Sequence, residues 1–262
     1  MMRSLYTAAS GMKTQQLQTD NIAHNLSNVS TTGFKKSRIE FQDLFYQTLQ
    51  EAGTPITQGA SIPVPLQIGL GVRPVAEQKM FTQGNLVQTD HQYDIAIEGE
   101  GFFQIRLPNG EIGYSRDGAF KIDKDGSVVT ANGYYLEPPI TVPQEALQFN
   151  VTEDGAVTVT LPNQIEPQEI GQITLVRFIN PAGLNRMGNN LYLETAASGP
   201  PIEGQPLLDG FGAVQQLFLE QSNVQMVDEM VNLIVAQRAY EVNSKAIQTS
   251  DDMLGVANNL KR

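Results

Sequence analysis

Both ends of this chain carry a long helical segment with a thin apolar seam, and roughly 190 residues of β-type sequence separate them. Near the N-terminus, Leu5, Ala8, Met12, Gln15, Thr19, Ile22, Leu26 and Val29 recur at alternating spacings of three and four, the rhythm of a coiled-coil seam. Near the C-terminus, Met226, Met230, Leu233, Gln237, Tyr240, Ser244, Ile247, Asp251 and Leu254 keep the same rhythm. Polar residues interrupt both seams, so an isolated pair is weak and draws stability from further neighbours, whether other subunits or the chain's own core.

Composition narrows the function. The net charge is -11, from 17 basic and 28 acidic residues, with no Lys/Arg stripe, which argues against nucleic acid as a partner. The most apolar stretch, Val224 to Ala236, is broken by Asp228, Glu229 and Asn232, so no membrane insertion is expected. The first twenty residues lack the apolar run of a cleavable secretory signal, and the expectation is a cytoplasmic protein or one exported without cleavage. There is no cysteine, hence no disulfide and no thiolate chemistry.

The first helix is expected from about Ser4, as N-cap, to Ser30, ~40 Å long, with Gly33 as a left-handed stop. Phe34, Ile39, Phe41, Leu44, Phe45 and Leu49 form a second apolar segment, helical or extended. Residues 51–74 hold four prolines and four glycines and read as an extended arm or hairpin ordered by an outside contact. From about Thr82 the period becomes that of strands, at 94–97, 102–107, 118–122, 157–161, 172–179 and 191–195. Asn109-Gly110, Asp125-Gly126, Asn132-Gly133 and Asp154-Gly155 predict type I′ hairpin turns. A last helix is expected from about Ser222 to Asn258.

These elements predict an α+β fold with a helix at each end and a mainly antiparallel β domain between them; the seams suit a coiled-coil-like bundle of several subunits as readily as an intramolecular pair of the N- and C-terminal helices. The expected divisions are 1–45, an arm at 46–74, the β domain at 75–215 and the last helix at 216–262.

Enzyme chemistry finds little support. His24 lies within a helix and His91 in a polar turn, neither in a metal or triad motif. Asp123-Lys124-Asp125-Gly126 begins like a calcium loop but lacks its later ligands. Gly69-Leu70-Gly71 and Gly99-Glu100-Gly101 lack the context of a phosphate loop, and Glu98 and Glu100 alternate onto one solvated strand face. No catalytic residue, metal or cofactor is expected. A monomeric β-domain binding module remains the rival of another class, and a glycosidase with scattered carboxylates a poorer one.

Ser10-Gly11-Met12, the run Ile22 to Val29 and Thr32-Gly33-Phe34-Lys35 at one end, with Ser222-Asn223-Val224, Gln237 to Glu241, Asn243-Ser244-Lys245 and Met253-Leu254 at the other, resemble the axial proteins of the bacterial flagellum. The family's doubled Asn is His24-Asn25 here, and its Ala is Ser27. Asn180 to Leu184 and Asn190 to Gly199 resemble rod members, and with residues 46–63 imply a place in the distal rod; a proximal-rod or hook-type subunit is the alternative within the family.

The resemblance implies a subunit of a self-assembling helical tube that carries torque to the hook. It also implies export as an unfolded chain without signal cleavage, assembly in the periplasmic space, and contact with other rod subunits, hook protein, rod-surrounding ring proteins and the export apparatus. Leu5, Met12, Ile22, Leu26, Val29, Met230, Leu233, Tyr240, Ile247 and Leu254 are the expected interface residues. Tyr46, Pro55 and Pro63 mark the arm, which resembles an element distinguishing the stiff distal rod from the hook.

Overall fold

The structure, a computed structural model, describes residues 2–53, 55–57, 60–61, 63–162 and 166–259; for residues 2, 55–57, 60–61 and 257–259 it describes the backbone alone. It divides into two compact units. One comprises Met1–Ser27, Ser37–Gln78 and Gln225–Arg262, the other Asn28–Lys36 and Lys79–Val224.

In the first unit, α1 (Met2–Ser27) and α2 (Met226–Asn259) lie side by side. Ser4 Oγ is 3.3 Å from Ser250 Oγ, and a Cβ on Gly11 would stand 3.0 Å from the Asn243 amide, so the helices run antiparallel. Ser4 therefore lies inside α1 and not at its cap. The chain leaves α1 three residues earlier than its seam predicts, through turns at Asn28–Ser30. Asp228 and Glu229 occupy the first turn of α2, where carboxylates complement the helix dipole.

The described residues between 37 and 78 form two-stranded ribbons, in keeping with the hairpin reading of this stretch. Ser37–Asp43 pairs with Val72–Lys79, Tyr46–Gln50 pairs antiparallel with Leu66–Gly69, and Pro55–Thr57 with Ala60–Ser61. The prolines fit because Pro63 and Pro65 lie outside the strands and Pro74 lies in a two-stranded sheet, where an edge tolerates a missing N–H. Asn21 and Asn25 tie α1 to this ribbon, each donating to the Ser37 carbonyl at 3.0 and 2.9 Å.

The second unit is an antiparallel β domain. Its main sheet runs Lys121–Ile122, Val128–Val129, Tyr135–Glu137, Phe102–Arg106, Ile112–Ser115, Leu191–Leu193 and Asn185–Gly188, with Leu175–Arg177 and Ile202–Gly204 attached to the side of Phe102–Arg106. Gln148–Val151, Ala156–Thr160 and Gln168–Gln172 form a second sheet. Ile97, Phe103, Ile105, Val157, Ile173, Leu175 and Val214 are all fully buried between these elements. A second apolar cluster, Phe102, Tyr114, Val176, Phe178, Leu184 and Tyr192, sits on the other side of the strands. The expected strand 172–179 is two strands in different sheets. At 118–122 only Lys121–Ile122 is strand, because Gly118 passes so close to Ile95 that a Cβ would meet its carbonyl oxygen at 1.6 Å.

The four Gly-containing hairpins are real, but their turns are not type I′. In each, the glycine alone has positive φ (Gly110, Gly126, Gly133 and Gly155), and the preceding Asn or Asp does not. Leu107, Asp123, Thr130 and Thr152 each accept from the glycine N–H and donate to the residue after it. This is a type I turn followed by a left-handed glycine bulge. The two-residue turn with both central φ positive occurs instead at Asn189-Asn190, with φ of 52 and 60°.

Candidate assembly surface

The face that α2 turns toward α1 is defined by burial. Glu229, Ala236 and Ser250 are buried, and Leu233, Asn243, Ile247 and Leu254 are half-buried. Tyr240 completes an alternation of four and three residues along 34 residues of helix. On α1 the buried positions are Ala8, Thr14, Asn21, Ile22 and Asn25. The contact is small and partly polar. Gly11 permits close approach at Asn243, and the Thr14 hydroxyl satisfies itself on the Gly11 and Ser10 carbonyls.

The expected seam residues are distributed unevenly over this geometry. Ile22 is 2% exposed; Leu5, Met12, Leu26, Leu233, Ile247 and Leu254 are half-buried; Met230 and Tyr240 are exposed. Val29 is half-buried and belongs to the β unit. Tyr46 and Pro63 are exposed on the ribbon, and Pro55 is described by its backbone alone. Of the expected α2 rhythm, 233, 247 and 254 are half-buried on the packed face, and Tyr240 falls on the same alternation but is exposed. Elsewhere the burial is displaced by one residue: Glu229, Ala236 and Ser250 are buried beside exposed Met230, Gln237 and Asp251, while Asn243 and Ser244 are both half-buried.

That displacement exposes a second apolar face. Met226, Met230 and Ile234, and beside them Val227, Val231 and Val235, form two rows at four-residue spacing, all between 42 and 68% exposed. At ~100° per residue Val227, Val231, Ile234 and Val235 point away from Glu229, Leu233 and Ala236, whereas Met226 and Met230 flank the packed face. No charged side chain falls within the two rows. A helix apolar on two sides is a helix with two partners. Sequence reasoning missed Val227, Val231, Ile234 and Val235 by assuming a single seam, although the dense apolar run from Val224 to Ala236 was visible.

In the β unit, the segment following α1 and the segment preceding α2 meet at a buried ion cluster. Lys35 Nζ lies 2.5 Å from Glu220 Oε1, and Arg116 approaches Glu220 Oε2 at 3.4 Å. Lys35 also donates to the Thr82 carbonyl at 2.9 Å, and Glu220 accepts from the Gly84 N–H at 2.8 Å. Burial pushes the Lys35 ammonium below its ordinary range, with Glu220 opposing the shift, and burial likewise lowers Arg116. Beside the cluster, Asn223 accepts from the Lys36 N–H at 2.7 Å and donates to the Met80 and Thr82 carbonyls. Two segments 185 residues apart are thus fixed to each other by charge and backbone bonds.

Residues 5–35 match a family model for the flagella basal body rod protein, residues 96–159 the D1 domain of the flagellar hook proteins FlgE/F/G, and residues 215–260 the C-terminal part of the flagellar basal body rod proteins FlgEFG. The chain is 54% identical over 264 residues, all of both chains, to the flagellar basal-body rod protein FlgG of Borreliella burgdorferi. It is 45% identical to FlgG of Caulobacter vibrioides, over 99% of this chain and all of that one, and 40% to FlgG of Bacillus subtilis over the whole of both.

This chain belongs to the flagellar basal-body rod protein family. It is a structural rod subunit of the flagellar basal body. The two terminal matches cover most of α1 and α2, and each also takes in part of the buried cluster: Lys35 lies in the first and Glu220 in the last. The family-matched ends therefore include both the helix pair and the residues that hold its flanking segments together.

Proposed function

We propose that this rod subunit assembles into the distal part of the rod, a helical tube that transmits motor torque to the hook. Its α1–α2 pair packs coiled-coil fashion against those of neighbouring copies to form the inner wall, and the β unit forms the outer layer. The observation that carries this reading is the second apolar face of α2, Val227, Val231, Ile234 and Val235, exposed and directed away from α1. Open head-to-tail contacts that do not close into a ring propagate a helical filament. Torque is then shared among many repeated contacts and needs no single strong site.

Leu5, Met12, Ile22, Leu26, Val29, Met230, Leu233, Tyr240, Ile247 and Leu254 contribute to the bundle, those packed within the pair by shaping it and those exposed by meeting neighbours. The ribbon at Tyr46 to Gly69 extends the contact between subunits. Its apolar side chains Tyr46, Leu49 and Leu66, and Phe45 beside it, are exposed, and a two-stranded ribbon is marginal alone. The subunit is exported without signal cleavage and assembles in the periplasmic space, where its partners are other rod subunits, hook protein, the rod-surrounding rings and, during export, the export apparatus.

The test is Ile234→Lys beside Val231→Lys. Each leaves the packed face of α2 untouched, so circular dichroism of dilute protein stays as in the parent while filament formation on concentration is lost. Normal filaments from both variants overturn the reading.

A further inference from the structure

Two of the four glycine hairpins carry an asparagine before the glycine, Asn109-Gly110 and Asn132-Gly133, and all four residues are exposed. In such a pair the glycine nitrogen can attack the asparagine side-chain carbonyl, because the following residue has no Cβ to hinder the approach. The two turns share one backbone design. Gly110 donates to the Leu107 carbonyl at 3.0 Å and Gly133 to the Thr130 carbonyl at 2.9 Å, with φ of 84 and 80°. A Cβ on either glycine would meet nothing within 4 Å, so both turns are open to water. What separates them is the restraint on the asparagine side chain and the ladder beneath each turn.

Asn109 is held at both ends of its amide. Its Nδ2 donates to Glu111 Oε2 at 2.7 Å, and its Oδ1 accepts from the Glu111 N–H at 3.1 Å. These bonds resist rotation of the amide toward Gly110, and the Glu111 carboxylate disfavours loss of a proton from an N–H close by. The Asn132 side chain has no hydrogen-bond partner among the described residues. The ladders differ as well. Below Asn109, Phe102–Arg106 and Ile112–Ser115 are joined from Ile112↔Arg106 to Ser115↔Phe103, whereas below Asn132 the two strands meet only at Val129↔Tyr135. A turn closed by one pair opens more often than a turn closed by a full ladder.

We propose that Asn132-Gly133 is a site of spontaneous deamidation in the folded protein, and that Asn109-Gly110 is shielded from it. When the turn opens, Gly133 N gives its proton to solvent base and bonds to Asn132 Cγ. The Cγ–Nδ2 bond breaks, the side-chain nitrogen leaves as ammonia, and a succinimide ring remains. Water then adds to one ring carbonyl and breaks its bond to Gly133 N. Opening at Cγ gives aspartate; opening at the main-chain carbon gives isoaspartate, with the backbone rerouted through the side chain. Either product adds a negative charge to a chain already at -11. Isoaspartate also lengthens the backbone within the turn and so loosens the edge of the main sheet, where Val128–Val129 pairs with Tyr135–Glu137.

The experiment ages dilute full-length protein in mildly alkaline buffer, with and without urea, and follows both asparagines by peptide mass mapping. Labelling by an isoaspartyl methyltransferase identifies the rerouted product. In the folded protein Asn132 is expected to convert several-fold faster than Asn109, and in urea the two converge. Glu111→Ala, a change at an exposed turn position, is expected to speed conversion of Asn109 in the folded protein and to leave Asn132 as it was. Asn132 that stays intact when folded but converts in urea overturns the site. A preference for Asn132 that persists undiminished in urea belongs to the flanking sequence and overturns the structural account. Asn109 that converts no faster in Glu111→Ala overturns the shielding.

Discussion

Lys35 and Glu220 stand 2.5 Å apart with both side chains sealed from water, and Arg116 shares the same carboxylate from its other oxygen. One anion thus serves two buried cations, and the arrangement depends more on the carboxylate than on either base. Glu220→Gln keeps the shape and removes the charge, leaving both cations uncompensated. Urea unfolding is expected to show a loss of about 3–5 kcal/mol, the scale for breaking a buried pair from one side. Lys35→Met removes one cation and leaves Glu220 paired with Arg116, so it costs clearly less. Equal losses in the two variants sink this account of the cluster.

Tyr192 is 5% exposed, with its ring beside Phe81 and Phe102, and burial holds its phenol at about 12. Its folded value lies above the ordinary 10, so its contribution to stability is complete below pH 10. As pH rises from 10 to 12 the unfolded chain gives up the proton and the folded chain keeps it, and stability falls. Tyr192→Phe is expected to remove roughly 2–3 kcal/mol of that alkaline loss. Denaturant midpoints of both proteins between pH 8 and 12 supply the check; parallel curves would show that this phenol titrates alike in both states.

The one-residue displacement along α2 gives a sharp comparison. Ala236 is 3% exposed and Gln237 faces solvent. Ala236→Glu forces a carboxylate into the contact with α1 and is expected to destabilise the helical pair by about 2–4 kcal/mol, whereas Gln237→Glu changes stability by less than about 0.5 kcal/mol. Thermal unfolding followed at a helix band decides it. A larger loss at 237 would restore the frame read from the sequence.

The reason for the displacement also explains how far the sequence is legible. An alternation of three and four can be drawn in two frames sharing every second position, and Leu233, Tyr240, Ile247 and Leu254 belong to both. The remaining positions are decided by Glu229, Asn243 and Ser250, polar residues that no apolar pattern marks as packed. The same distinction runs through the β unit. Gly110, Gly126, Gly133 and Gly155 announced hairpins because a left-handed residue is needed there, but the dihedral of the residue before each glycine carries no sequence mark, and so the turn type was misread. The pairing of Lys35 with Glu220 across 185 residues is a product of tertiary register and has no local signal.

The ribbon offers the last prediction because its base and its tip are separable. At the base, Leu44 N–H donates to the Gly71 carbonyl at 2.8 Å, next to the pairing of Ser37–Asp43 with Val72–Lys79. Above it, Tyr46↔Gly69 opens a second ladder on which Tyr46, Leu49 and Leu66 are exposed. Removing residues 46–69 and joining Phe45 to Leu70 therefore shortens the ribbon without unpairing its base. If the ribbon wedges between neighbouring subunits and limits their sliding, tubes built from the shortened chain bend more easily, and electron micrographs show a shorter persistence length. Stiffness equal to that of the full-length protein would mean that the helix bundle alone sets the rigidity of the tube.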